Sequence, residues 1–171
     1  TQGLDPFTDE ILLYAFKGED TPNYLWKPQY GLGVGKLWNI FEGKVALAHN
    51  AAFEYMFMRG ALGLDRVRGW FDTALAEKVL TNGIVTAAAD LGTVAKKYCG
   101  VQLPKDLQKS WIGMDPLAMP SDEQLAYAAG DVAYMHAIMD AQLVVARREG
   151  LLRTLRLEMQ AMPAFAEMRL N

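Results

Sequence analysis

Residues Lys44–Gly63 read KVALAHNAAFEYMFMRGALG. Val45–Ala48 is a compact apolar run and His49–Asn50 a polar break. From Ala51 onward come good helix formers that stop at glycines, so the stretch is expected to fold as strand, turn, helix. This unit decides the fold class because it recurs. RGWFDTALAEKVL (Arg68–Leu80) repeats it, with a short strand at Trp70 and Phe71, Asp72 as N-cap and a helix over Thr73–Leu80. Ahead of both units, ILLYAF (Ile11–Phe16) is an apolar run between acidic flanks and predicts a largely buried strand. NYLWK (Asn23–Lys27) follows it across the turn-rich GEDTP, so the two form a hairpin. Strands first, then strands alternating with helices, describe an α/β domain with a mixed central sheet flanked by helices.

The remaining segments fill in that plan. Gly35–Phe41 is expected to form a short helix, and ADLGTVAKKYCG (Ala89–Gly100) another, capped by Asp90 and stopped by Gly100. VQLPKDLQKSWIGMDPLAMP (Val101–Pro120) holds three prolines and little periodicity, and reads as loop. Ser121 and Gln124 stand at capping-box spacing and open QLAYAAGDVAYMHAIMDAQ (Gln124–Gln142), which reads as one helix. The last stretch, LLRTLRLEMQAMPAFAEMRLN, reads as a helix interrupted by Pro163.

Composition bounds the function. A chain of 171 residues with 51% hydrophobic content makes one packed domain. A formal charge of -3 argues against gripping long duplex DNA by its phosphates, yet leaves room for a site that holds a few nucleotides. No apolar run is long enough for a bilayer and no signal-peptide pattern is present, so no membrane partner and a cytosolic location, in a bacterium or a phage-infected cell, are expected. Cys99 is the single cysteine, which rules out an internal disulfide and any zinc-ligand spacing. The sequence opens at Thr1 midway through a motif and stops inside a helical pattern, so an excised piece of something longer is expected.

Several side chains fall where strand ends meet helix starts, the places where chemistry gathers in α/β sheets: Asn50, Glu54, Asp72, Tyr127 and Asp131. Tyr127 and Asp131 are four apart on one helix face, with Ala128 and Ala129 leaving room for something to approach. Taken singly, each has a structural reading. Asp131 would be a solvated acid, His49 and Asn50 a turn, Glu54 an exposed helix residue, Asp72 a cap and His136 a packing residue. Trp26, Trp38, Trp70, Trp111 and the nine methionines are core filling on the same reading.

The order of the segments adds to these single readings. LAHNAAFEYMFM, WFDTALAEKVL, LGTVAKKYCGVQLPKDLQKSWIG and SDEQLAYAAGDVAYMHAI together resemble the 3′-5′ exonuclease domain shared by family A DNA polymerases and ribonuclease D, from about Thr1 to about Arg148. The resemblance implies a ribonuclease H-like (DnaQ-like) fold and four acidic metal ligands in three motifs, with a tyrosine beside the last. YAAGD matches the third, tyrosine-type motif, which assigns Asp131 to a divalent metal and Tyr127 to the attacking water. HNAAFE occupies the second, with Asn50 at the expected polar position and Glu54 as a ligand where aspartate is commoner. His49, Asn50 and Phe53 become candidates for binding substrate, with Phe53, Tyr55 and Trp111 as candidates for stacking on bases. The first motif, Asp-x-Glu, is expected immediately upstream of Thr1. Asp5, Asp9 and Glu10 lie past its position and are not assigned as ligands.

What the resemblance implies is an exonuclease using two divalent cations, Mg²⁺ or Mn²⁺, on a single-stranded or frayed DNA 3′ end, as the proofreading part of a family A DNA polymerase. The exonuclease domain is then residues 1–150, without its first strand and first motif. Residues 151–171 open a following polymerase region, because LRLEMQAMPAFAEMRLN resembles the helix that begins it. These 171 residues alone are expected to be inactive. The alternatives are RNA 3′ trimming of the ribonuclease D kind and a catalytically silent scaffold.

Overall fold

The computed structural model describes residues 5–28, 39–61, 63, 67–82, 84, 89–104 and 107–170. Apolar and aromatic residues on either side of the Gly18–Thr21 turn make an antiparallel hairpin. In it, β1 (Tyr14–Lys17) pairs with β2 (Asn23–Trp26) so that Tyr14 faces Trp26 and Phe16 faces Tyr24. Both cross-strand aromatic pairs stack, with ring centroids 5.2 and 5.4 Å apart, the kind of contact that stabilises a sheet. The turn is closed by the Gly18 N–H donating to Thr21 Oγ1 at 2.8 Å. The strand begins later than ILLYAF suggested and is half-buried along its length. The ladder runs from Tyr14 opposite Trp26 to Lys17 opposite Asn23, and Leu12, ahead of it, goes into the core as irregular chain.

The two strand–turn–helix units form as expected. β3 (Val45–Ala48) and β4 (Gly69–Asp72) pair in parallel, Val45 opposite Gly69 and Ala48 opposite Asp72. Helix α1 (Ala51–Met56), prolonged by a π-helical turn over Phe57–Ala61, crosses between them. The class is the mixed α/β one, and among the described residues its strands form two two-stranded ladders, one antiparallel and one parallel. Of the short helix expected over Gly35–Phe41, residues 39–41 are helical, while 35–38, with Trp38, lie outside the described residues.

Helices α2 (Thr73–Leu80) and α3 (Leu91–Cys99) start at the capping aspartates Asp72 and Asp90, and α3 ends on Gly100 in the left-handed conformation, φ 69°. Ser121 and Gln124 form both halves of the capping box that opens α4 (Asp122–Ala133). The expected long helix is in fact two, because Tyr134 (φ −105°, ψ 0°) separates α4 from α5 (Met135–Arg148). The break lets each half follow its own partners: α4 packs on the β1–β2 hairpin, while α5 packs on α2 and α3. Tyr134 itself packs against the small core around Val94, Ala95 and Ile138.

The last helix also departs from expectation. Instead of being interrupted at Pro163, α6 runs unbroken from Leu152 to Leu170. A proline inside a helix removes one backbone bond, and here a continuous buried stripe of Leu155, Met159, Met162 and Ala166 offsets it. That stripe is shared between two core clusters. Met162 and Ala166 join Ala46, Ala48, Ala51, Met58 and Trp70, while Leu155 and Met159 join Phe71, Ala76 and Ala146. Both strands of the parallel ladder and the start of α1 therefore rest on α6. Among the described residues no helix is long and apolar enough to cross a membrane.

Candidate active site

Helix α4 carries the first group of candidate residues. Tyr127 and Asp131 lie one turn apart on it, and Asn23 of β2 ties the hairpin to the same turn by donating from Nδ2 to the Ala129 carbonyl at 3.0 Å. Burial pushes the Asp131 carboxyl up to about 6, against the hydrogen bond from the Tyr127 hydroxyl, which pulls it down. Burial likewise raises the Tyr127 phenol, and the neighbouring Asp131 charge adds to the rise. Tyr127 is therefore a protonated donor at any physiological pH. Asp131 is a carboxylate kept close to its titration point by lack of solvent.

The second group lies at the turn from β3 into α1. Asn50 adopts the left-handed conformation (φ 67°, ψ 50°) and its side chain makes no capping hydrogen bond. The Asn50 and Ala51 N–H groups donate instead to the Asp72 carboxylate, at 3.0 and 2.9 Å. The His49 ring is half-buried, with Nδ1 2.9 Å from Thr73 Oγ1, and burial lowers its pKa although the Asp72 charge works the other way. Glu54, one turn into α1, is not the exposed helix residue of the simple reading. Desolvation pushes its carboxyl up to about 8, with the Asp72 charge adding to the rise, and its buried Oε2 has no hydrogen-bond partner.

Of the stacking candidates, Phe53 is half-buried with its ring 4.7 Å from that of Phe57. Tyr55 is engaged in packing: its hydroxyl donates to Glu167 Oε1 at 2.6 Å and its ring meets Trp70 edge-on at 5.8 Å. Trp111 ends a 3₁₀ turn and is half-buried. His136 lies on α5 with a buried, unpartnered Nδ1, and no second candidate is hydrogen-bonded to it. A cleft of about 600 Å³ between β4 and α6, lined by Val45, Arg68, Phe71, Leu155, Arg156 and Met159 among others, includes Tyr55 of the stacking candidates but not His49, Asn50, Phe53, Glu54, Tyr127 or Asp131.

Sequence reasoning saw Asp72 as the cap of α2 and missed that it also closes α1. The donors Asn50 and Ala51 lie more than twenty residues upstream, so no local pattern reveals the contact. The parallel register, Ala48 opposite Asp72, creates it.

Asp131 and Glu54 each offer the hard oxygen donors a divalent cation takes, but no bond or charge coupling joins the two: the charge acting on Glu54 is that of Asp72, and the partner of Asp131 is Tyr127. The number of ligands does not close a cage. Among the described residues no group of three His, Cys, Asp or Glu side chains could hold a metal ion.

A family model described as 3′-5′ exonuclease matches residues 1–143. The chain belongs to this 3′-5′ exonuclease family. Solved structures share the exonuclease's fold. Brucella melitensis NrnC bound to pGG superposes with a TM-score of 0.83 at 20% identity, covering 99% of this chain and 80% of that one. The same protein with bound Mg²⁺ gives 0.82 at 20% identity, covering 99% of this chain and 81% of that one. Escherichia coli RNase D, an exoribonuclease involved in structured RNA processing, gives 0.72 at 22% identity, covering 91% of this chain and 40% of that one. Comparison with curated protein sequences gives no match.

Proposed function

We propose that this domain removes nucleotides from the 3′ end of short single-stranded nucleic acid, with Asp131 and Glu54 as the metal ligands this chain contributes and Tyr127 as the group that aims the attacking water. The observation that carries the reading is the Tyr127–Asp131 pair: a desolvated carboxylate hydrogen-bonded by a phenol one turn away, in a chain of the exonuclease family. A pair of Mg²⁺ or Mn²⁺ ions, when bound, would supply positive charge to meet the negative charge developing on the phosphodiester.

The chain's own residues do the rest. Asp131, protonated only below about 6, offers a hard anionic oxygen at neutral pH. Glu54 holds its proton until about 8, so it becomes a ligand by exchanging that proton for a cation. The Tyr127 hydroxyl can turn from the carboxylate to the water as the carboxylate's charge is taken up elsewhere. Asn50 and Phe53, at the start of α1, meet the terminal nucleotides. A single-stranded end, unlike a paired one, can bring its last phosphodiester to a half-buried carboxylate such as Asp131. A few unpaired nucleotides are held by stacking and local contacts without a basic surface.

Two substrate readings have support of their own. RNA trimming is favoured by the solved neighbours, one bound to pGG and one an exoribonuclease. Proofreading of DNA within a polymerase is favoured by the resemblance of the α6 sequence to the helix that opens the polymerase region. A silent scaffold draws on Glu54 in place of aspartate and on the open ligand set.

One assay separates them. Matched 5′-labelled DNA and RNA oligonucleotides are incubated with Mg²⁺ or Mn²⁺ and either the 171-residue chain or an extended chain in which a strand bearing Asp-x-Glu precedes Thr1. The extended chain is expected to shorten its substrate from the 3′ end one nucleotide at a time, and the short chain to leave it intact. Preference for RNA or DNA chooses between the first two readings, and no shortening by the extended chain leaves the scaffold. Strong Mg²⁺-dependent digestion by the short chain would mean that Asp5, Asp9 or Glu10 supplies ligands, against the motif placement.

A further inference from the structure

Helices α1 and α2 start at the ends of adjacent parallel strands, and one carboxylate closes both. Asp72 Oδ1 accepts the N–H groups of Ala74 and Leu75 at 2.9 and 3.1 Å, which is ordinary capping of its own helix. The same Oδ1 accepts the Asn50 N–H at 3.0 Å, and Oδ2 accepts the Ala51 N–H at 2.9 Å. The first N–H groups of any helix lack partners within it and are normally met by the N-cap side chain.

Asn50 is the N-cap of α1 and among the best capping residues by type, yet its side chain makes no such bond. Asp72 meets the Asn50 and Ala51 N–H groups, which lie ahead of those an N-cap side chain serves, and so anchors the turn itself. The anchored Asn50 backbone is left-handed, unlike the extended backbone of a capping residue, and its carboxamide makes no bond to the helix. Thr73 grips the other side of the turn, with Oγ1 bonded to His49 Nδ1 at 2.9 Å and to the Ala48 carbonyl at 3.3 Å. The Asp72 side chain is almost wholly buried, so these bonds are not shared with bulk water.

We infer that Asp72 is a positioning residue for the exonuclease reaction. By anchoring the Asn50 and Ala51 N–H groups from the neighbouring strand it holds the turn left-handed, and so positions the Asn50 carboxamide to donate to a phosphate oxygen near the 3′ end of the substrate. This rests on the reading of Asn50 as a substrate contact given above. The anchoring itself is separable from that reading.

The test uses Asp72→Ser, because a serine hydroxyl still caps α2 but offers one oxygen and cannot reach both helices. Affinity for 5′-labelled dT₄ and rU₄ is read by fluorescence anisotropy, and stability by thermal melting. Asp72→Ser is expected to weaken binding about tenfold, the loss of a hydrogen bond to a charged group. Asn50→Ala should weaken it equally, and the double variant no further. Unchanged affinity in a folded Asp72→Ser chain overturns the proposal, since a merely structural cap would lower the melting temperature alone.

If Asp72→Ser fails to fold, Asp72→Asn takes its place with the same expectations. If the unaltered chain binds neither oligonucleotide, the substrate reading fails, and the melting data still decide the anchoring. Asn50→Gly keeps both N–H groups that Asp72 accepts, so in that background Asp72→Ser should cost at least as much stability as in the unaltered chain. A clearly smaller loss overturns the anchoring.

Discussion

Asp131 and Glu54 sit on helices that are started in opposite ways. Helix α4 carries its own beginning: Ser121 Oγ accepts the Gln124 N–H at 3.2 Å, and Gln124 Oε1 accepts the Ser121 N–H at 2.9 Å. Helix α1 borrows its beginning from the next strand through Asp72. The acids differ in the same sense. Asp131 has the Tyr127 hydroxyl as partner and rises only to about 6, whereas Glu54 has a buried oxygen without one and rises to about 8. One half of the candidate site is thus stabilised by its own helix, and the other is held by tertiary structure at the cost of a desolvated, unsatisfied carboxyl.

The largest effect should come from the self-contained half. In the extended chain, Asp131→Asn is expected to bring metal-dependent digestion of single strands down to background, because a neutral amide of equal shape replaces an anionic ligand. Melting at pH 7 should hardly change. The Tyr127 hydroxyl keeps an acceptor, and a group that was costly to charge is no longer charged. Equal activity of variant and parent across Mg²⁺ and Mn²⁺ titrations would remove Asp131 from the metal site.

Tyr127→Phe should be milder, roughly 10- to 1,000-fold in rate, as for other positioning groups. It carries a second signature. The Tyr127 hydrogen bond lowers the Asp131 pKa, so losing it leaves burial unopposed and moves that pKa upward. The acid limb of the pH–rate profile, or of Mn²⁺ binding, should shift to higher pH. A shift to lower pH would contradict the geometry of the pair.

The contrast between the helices also marks what could be read from sequence. The capping box, the Asp90 cap with its Gly100 stop, the hairpin and both strand–turn–helix units are written in residues a few positions apart, and each formed as expected. The break at Tyr134 and the unbroken passage through Pro163 were illegible. Both are decided by what the helices pack against: α4 and α5 lean on different partners, and α6 is held by a buried stripe that outweighs one missing N–H. The burial of Glu54 and the second role of Asp72 were hidden because both are tertiary: α1 packs on α6, and Asp72 reaches the start of α1 through the register of β3 against β4. Motif spacing placed Tyr127 and Asp131 one turn apart on a helix, as they stand in α4. It did not find what holds Asn50.

Glu54 allows a test of the borrowed half. Its pKa in the fold, about 8, lies above the usual carboxylate value of 4.5. The protonated carboxyl therefore contributes stability that is complete below about 4.5 and lost as pH rises through about 8. The metal-free chain should melt at progressively lower temperature over that window. Glu54→Gln has no proton to lose, so it should flatten this slope and raise the melting temperature at pH 8 relative to the parent. Each kcal/mol recovered is worth about 2–4 °C in a chain of this size. A parent chain that grows more stable between pH 5 and 8 would show Glu54 to be solvated or already paired with a cation.

The smallest effects separate the two ways of starting a helix most directly. Ser121→Ala removes a side-chain cap that α4 makes for itself and is expected to cost about 1 kcal/mol, a drop of about 2–4 °C in melting temperature. Asn50→Gly removes an N-cap residue by position but no capping bond, because the Asn50 side chain makes none. Glycine also takes the left-handed conformation freely. It loosens the unfolded chain as well, which offsets part of the gain. The melting temperature of Asn50→Gly should therefore stay within about a degree or two of the parent, well short of the Ser121→Ala loss. Measured side by side by thermal melting at pH 6, equal losses would mean that Asn50 caps α1 itself in solution, and the division between a self-started and a borrowed helix would collapse. A loss confined to Ser121→Ala would show that the start of α1 depends on Asp72 and not on the residue that occupies its N-cap.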